Sequence, residues 1–314
     1  MLIAASLLAA VIPMITYLLI IWQTDRYDRE PLSLVLINYF YGAVGAIIIA
    51  VAGSGFISTA ISFLVSNKEM LDRIDTIIVA PIVEEITKGF FLLLMVSGKK
   101  FDNMTDGIVY GGAIGLGFGM TENFFYFVGY GNTFADWLGI VIIRTLFSGV
   151  MHCVSTGTLG AFLGYSKFKS QFIKITFPLF GLGAAILIHF LWNLSVSFQA
   201  TTIPGFLFMI FTIAIFITVF SISLFGERKI IFRELMSETE AGFIPREHLI
   251  ILNSNKRNKS GWIDESIRKL YITAATTLAF RKMQARNSSG VSKNYYEQDI
   301  THYRNFIRDL LSKA

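Results

Sequence analysis

Glu84 and Glu85 stand side by side in an otherwise apolar segment, with Lys88 one helical turn further on. Glu122-Asn123, Arg144, His152 and His189-x-x-x-Asn193 follow, each within a long apolar run. A buried glutamate can take a proton from water and so act as a general base. Lys88 can hold Glu84 ionised and so help keep Glu85, its like-charged neighbour, in a different protonation state. His189 and Asn193, one turn apart on one helical face, can offer N–H donors to a tetrahedral oxyanion. That set fits hydrolysis by activated water and needs no separate nucleophile. Cys153 adjoins His152 in sequence, but neighbours on a helix point about 100° apart, so a thiol nucleophile is not indicated. Two carboxylates and two histidines are also donors that zinc and iron sites use. No His-Glu-x-x-His or Glu-x-x-His spacing occurs, so no metal or other cofactor is expected, although the residues do not exclude a metal.

These groups need unusual surroundings. The chain has 314 residues, 54% hydrophobic and 16% charged, where a soluble chain carries about 25% charged residues. The apolar residues come in blocks of about 20, the length that crosses about 30 Å of hydrocarbon as a helix, and they lack the period-two alternation of a membrane barrel. An all-α, polytopic transmembrane bundle follows. A charge at mid-bilayer costs about 2.5–3.5 kcal/mol on insertion scales. It persists where such groups meet one another, or water, inside the bundle.

Seven spans are predicted, at about 2–23, 34–57, 74–96, 106–128, 137–163, 172–198 and 203–225. The second block is overlong, from Leu32 to Val65, and Gly53-Ser54-Gly55 interrupts it. It reads equally as one tilted or broken helix, or as a helix with a re-entrant piece. The first run is not preceded by basic residues and reads as an uncleaved span. Lys99-Lys100 and Lys167, Lys169 and Lys174 mark cytoplasmic loops, while 129–136 and 199–202 carry no Lys or Arg. The N-terminus is then outside and the C-terminus cytoplasmic; Lys68 and Arg73 depart from the rule. The formal net charge of +5 resides after Gly226. The domains are therefore a transmembrane bundle at 1–225 and a basic cytoplasmic helical tail at 226–314. In the tail, Ile263, Ile267, Leu270, Ala274 and Leu278 mark one amphipathic helix. Tyr296, Ile300, Tyr303, Ile307, Leu310 and Leu311 mark another. No nucleic-acid motif appears, and neither cysteine usage nor composition fixes the redox compartment or the oligomeric state.

Helical spacing turns the polar residues inward. Gly107, Gly111, Gly115 and Gly119 form a ridge that admits a neighbouring backbone and continues to Glu122 and Asn123. Gly181, Ala185, His189 and Asn193 form a second ridge; Arg144, Ser148, His152 and Thr156 form a third. Pro81 lacks an N–H and loosens its helix one turn before Glu85, at a depth where freed carbonyls must line protein or a wet cavity. Arg144 reads more readily as a counter-ion than as a reactant.

In order and spacing, Glu84-Glu85-x-x-Lys88, Phe118-x-x-x-Glu122-Asn123, Arg144 with His152, and His189-x-x-Trp192-Asn193 resemble the PrsW intramembrane proteases. These belong to the wider superfamily of CAAX prenyl endopeptidases and bacteriocin-processing enzymes. Asp25-Arg26-Tyr27-Asp28-Arg29-Glu30-Pro31 resembles the segment after the first span of that family. The resemblance covers about residues 20–200. It implies a multi-pass cell-membrane peptidase that depends on glutamate and cuts single-span membrane proteins, such as an anti-sigma factor, near the outer face. The implied catalytic residues are Glu84, Glu85, Glu122, His152, His189 and Asn193, supported by Lys88, Asn123 and Arg144. The CAAX branch has histidine where this chain has Glu122, which argues against prenylated substrates. Intramembrane Glu and His also build proton relays, so a proton-coupled transporter or channel is the alternative. It would predict internal repeats, and the two halves show none. A non-catalytic scaffold that recruits partners through its tail is a third reading.

Overall fold

The computed structural model describes residues 2–98 and 101–313, so Lys99 and Lys100, read above as cytoplasmic markers, lie outside the described residues. The chain is all-helical, with no strand among the described residues. Helix α1 is Leu2–Thr24. Helix α2, Leu32–Ser62, is one continuous helix. It contains Gly53-Ser54-Gly55 and holds a π-turn at Tyr41–Ala46. Helix α3 runs over 68–96 and holds a second π-turn, Asp75–Val79. Helix α4 is Met104–Tyr130. Helix α5 is Phe134–Ser166, with a third π-turn at Arg144–Ser148. Helix α6 is Gln171–Ser197 and α7 is Thr202–Glu240.

Among the described residues, five helical segments have the length and apolar composition to cross a membrane: Ile3–Thr24, Leu32–Ser62, Phe134–Ser166, Gln171–Ser197 and Gln199–Glu240. Helices α3 and α4 are not among them, for a chemical reason. Helix α3 carries Glu84, Glu85 and Lys88, and α4 carries glycine where the others carry long apolar side chains.

The chain divides into two compact units. The first, Met1–Asp25 with Glu30–Phe220, is built around α4, which is buried continuously from Thr105 to Gly119. A capping box between Asn103 and Asp106 starts this helix. Its glycines bring it backbone to backbone against α5. A Cβ on Gly107 would lie 1.9 Å from Gly160 O, and one on Gly115 would lie 2.1 Å from His152 O. No side chain fits at either position, so the ridge fixes where His152 stands relative to α4. The bundle also packs Trp192 of α6 against Phe147 and Phe206, with Met151 and Met209 buried beside it.

The second unit comprises Arg26–Arg29 and Ser221–Ala314. It contains the C-terminal part of α7, then α8 (Arg246–Leu252), α9 (Glu265–Arg286) and α10 (Gly290–Leu311). Its core includes Ile231, Leu235, Tyr271, Leu278, Phe280 and Ile307. Leu270, placed on the apolar stripe by spacing, is 52% exposed. Arg257 is buried and donates to the carbonyls of Arg26 and Tyr27 at 2.6 and 2.7 Å.

Candidate active site

The site residues come from four helices of the first unit. Helix α3 supplies Glu84, Glu85 and Lys88; α4 supplies Glu122; α5 supplies Arg144 and His152; α6 supplies His189. All lie in contact, directly or through one another.

Glu85 sits at the centre and is fully buried. Its Oε1 accepts from Lys88 Nζ at 2.6 Å, Ser155 Oγ at 3.1 Å and His189 Nδ1 at 3.0 Å. Its Oε2 accepts from Thr156 Oγ1 at 2.9 Å. Both oxygens therefore have donors, and the carboxylate links three helices. Glu84 differs. It is 13% exposed, and its Oε2 is buried without a hydrogen-bond partner among the described residues. That oxygen lies 3.7 Å from Lys88 Nζ and 3.9 Å from His189 Nε2. Lys88 stands closer to Glu85 than to Glu84, although the four-residue spacing favours the latter.

The two histidines are oriented by their partners. Lys88 Nζ donates to His152 Nδ1 at 3.0 Å, so the ring proton is on Nε2, which donates to Glu122 Oε2 at 2.6 Å. His189 donates from Nδ1 to Glu85, which leaves Nε2 facing Glu84. The two rings meet edge to face at 4.8 Å.

Glu122 is also paired with Arg144 at 2.8 Å. Arg144 Nε donates to Asn123 Oδ1 at 3.0 Å, and its guanidinium stacks 3.6 Å over the Tyr126 ring. Phe118 lies 4.2 Å beneath the Lys88 ammonium. Asn193 is on the same face as His189, but its Nδ2 donates to Thr76 O in the π-turn of α3 at 2.9 Å. Cys153 is buried beside Gly112.

Sequence reasoning missed Ser155 and Tyr126, and placed Thr156 on a stripe without a role. The signal for the first was Ser155-Thr156, two hydroxyl residues one turn after His152 in an apolar run. For Tyr126 it was an aromatic ring at four residues from Glu122.

A divalent cation fits part of this arrangement. Glu84, His152 and His189 each offer one ligand atom, all within 4.8 Å of one another. One carboxylate and two imidazoles form a donor set that zinc sites use. The hydrogen bond from His189 Nδ1 to Glu85 is the outer contact that orients a ligating imidazole, and Glu84 Oε2 is left without a partner. The Lys88 ammonium is the rival charge in the same space, and it engages the His152 nitrogen nearest to it.

The chain was compared with known proteins. The profile of the family described as "PrsW family intramembrane metalloprotease" matches residues 30–221. The protein named Protease PrsW of Bacillus subtilis (strain 168) is 29% identical over 196 residues, covering 59% of this chain and 79% of that one. Protease PrsW of Geobacillus kaustophilus (strain HTA426) is 27% identical over 161 residues, covering 51% and 66%. Protease PrsW of Clostridioides difficile (strain 630) is 28% identical over 165 residues, covering 52% and 67%. No solved structure matches. The matched segment contains every residue of the carboxylate–imidazole cluster, and the chain belongs to the PrsW family of intramembrane peptidases.

Proposed function

We propose that the protein is an intramembrane endopeptidase that cleaves single-span membrane proteins of the anti-sigma-factor kind near the outer face, with Glu84 as the base that activates water. The observation that carries this reading is the buried Oε2 of Glu84, which has no hydrogen-bond partner among the described residues and lies 3.9 Å from His189 Nε2. Water attacks the scissile carbonyl carbon while its proton passes to Glu84. The C–N bond then breaks, and Glu84 returns that proton to the leaving amine. His189 is held by Glu85 at Nδ1; a proton taken up from solvent at Nε2 before the attack would let it donate to the oxyanion, and that proton stays on the ring through the cycle. Lys88 and Arg144 keep Glu85 and Glu122 anionic partners of the two rings. Glu84, His152 and His189 would hold a divalent ion, which would supply Lewis-acid polarisation and a more acidic water.

In this reading α3 and α4 also cross the bilayer, which gives seven spans. Their polar residues face the bundle, so hydropathy understates them. The N-terminus is outside and residues 226–314 form a cytoplasmic tail, with the bundle at 1–225. The mixture of glutamate and histidine in the site serves hydrolysis rather than ion flux.

The test is cleavage by purified protein in detergent of a single-span substrate, found by comparing membrane proteomes with and without Glu84→Gln. Uncut clients should accumulate in the variant; an unchanged proteome would sink the reading. Cutting that survives exhaustive chelation assigns water activation to Glu84 alone. Loss that added zinc restores assigns it to an ion on the same three residues.

A further inference from the structure

Helix α3 reaches the site through the π-turn Asp75–Val79, and one carbonyl of that turn lacks an ordinary donor. The N–H of Ala80 donates to Asp75 O, five residues back. By the same step the next carbonyl, Thr76 O, calls for a donor at residue 81. Residue 81 is proline, which has no N–H. A carbonyl freed in this way must find a partner from the protein or from water. The partner is Asn193 Nδ2, at 2.9 Å.

The location of this bond gives it a consequence for the chemistry. Asn193 is one turn beyond His189 on α6, and Pro81 is three residues before Glu84 on α3. This hydrogen bond thus adds to that from His189 to Glu85 a second link between the helix that bears the base and the helix that bears the imidazole, one turn away from the reacting atoms.

We propose that Asn193 is a positioning residue: it supplies the hydrogen bond that Pro81 cannot make to Thr76 O, and thereby fixes Glu84 against His189. The proposal rests on the reading of Glu84 and His189 as the reacting pair. A donor to the oxyanion, the other role open to an amide here, would act on substrate directly and would not depend on Pro81.

The experiment uses Asn193→Ala, Asn193→Asp, Pro81→Ala and the pair Asn193→Ala/Pro81→Ala. Each is purified full length in detergent and measured for kcat, KM and amide hydrogen exchange across residues 77–82. Asn193→Ala and Asn193→Asp are expected to lower kcat by roughly 100-fold with KM little changed, the scale of a misplacement near 1 Å, and to speed exchange in that segment. Pro81→Ala gives position 81 an N–H that can reach Thr76 O. It should return kcat of the double variant to within about threefold of Pro81→Ala alone, a strongly non-additive cycle, and restore protection. An N–H on α3 cannot replace an oxyanion donor lost from α6. Restored protection without restored kcat therefore overturns the proposal, and so does unchanged exchange in Asn193→Ala. The exchange measurement reads the bond whether or not the protein cuts the chosen substrate. Wild-type protein that cuts nothing would count against the functional reading and leave the bond to be judged by exchange.

Discussion

Each unit of this protein sets two neighbouring glutamates among packed helices, and one of these four is treated differently from the others. In the second unit Glu234 and Glu238 are each 1% exposed. Glu234 meets Arg286 at 2.5 Å and Arg233 at 3.0 Å. Glu238 takes a bidentate pair of bonds from Arg304 at 2.7 and 2.8 Å, and a further bond from Lys282. Lys282 also reaches Glu234 O and Ser237 Oγ. Every charge there has a partner, and the cluster ties α7 to α9 and α10. In the first unit Glu85 is satisfied in that manner while its neighbour Glu84 is not. A saturated carboxylate locks helices together; an unsaturated one beside an imidazole is free to take a proton. The distinction lies in the partners and not in the residue type, the depth or the presence of a nearby lysine.

The sharpest way to break this comparison is to neutralise the two adjacent glutamates separately. Glu84→Gln should lower kcat by about 10³-fold, within the range for loss of a general base, while thermal unfolding in detergent stays near that of the parent. Full activity in this variant would end the case for Glu84. Glu85→Gln should act first on the fold. It leaves the fully buried Lys88 ammonium without its closest counter-charge, a change that costs about 3–5 kcal/mol. A well-folded Glu85→Gln protein with unaltered unfolding temperature would show that saturation is not what separates the two residues. In the second unit Glu238→Gln should cost about 2 kcal/mol, the scale of hydrogen bonds to charged groups, discounted because Arg304 is 35% exposed and partly solvated. Hydrogen exchange should rise in α9 and α10 while kcat per folded molecule is unchanged.

The cluster itself was legible. Ionisable residues at four-residue spacing in lipid-length segments have few places to go, and Glu84, Glu85, Glu122, His152 and His189 do converge. The division of labour between the two glutamates was not legible. It depends on Ser155 and Thr156, which belong to another helix and meet Glu85 only once the helices are docked. Lys88 is likewise shared by a contest among three helices, which spacing along one helix cannot settle. The three π-turns escaped as well. Each inserts a residue to suit tertiary contacts, and a 3.6-residue period does not register it. The overlong block from Leu32 reads equally in sequence as a tilted or broken helix or as a helix with a re-entrant piece, and it is one continuous helix. Helices α3 and α4 are weak by hydropathy because the polar and small residues that build the site replace the apolar ones by which spans are recognised. Membership of the family was legible because the motifs lie in order along the chain, a property that does not require the fold.

The finest test of the comparison lies within Glu85 itself, because its two oxygens are not equally supplied. Oε1 takes three donors, Lys88, Ser155 and His189, whereas Oε2 takes one among the described residues, Thr156. Ser155→Ala removes a donor from an oxygen that keeps two stronger ones, one of them an ammonium at 2.6 Å. Its cost should be about 0.5 kcal/mol, the low end for a net hydrogen bond. Thr156→Val has nearly the same shape but strips Oε2 of its donor and leaves a buried carboxylate oxygen bare. Its cost should be about 1 kcal/mol or slightly more. Thermal unfolding of the two variants side by side gives the ordering directly. If saturation governs what these carboxylates do, Thr156→Val is the more damaging, and it also turns Glu85 part of the way toward the condition of Glu84. Equal losses, or a larger one at Ser155, would mean that the hydroxyls only fill space and that the lysine and histidine alone set the state of Glu85.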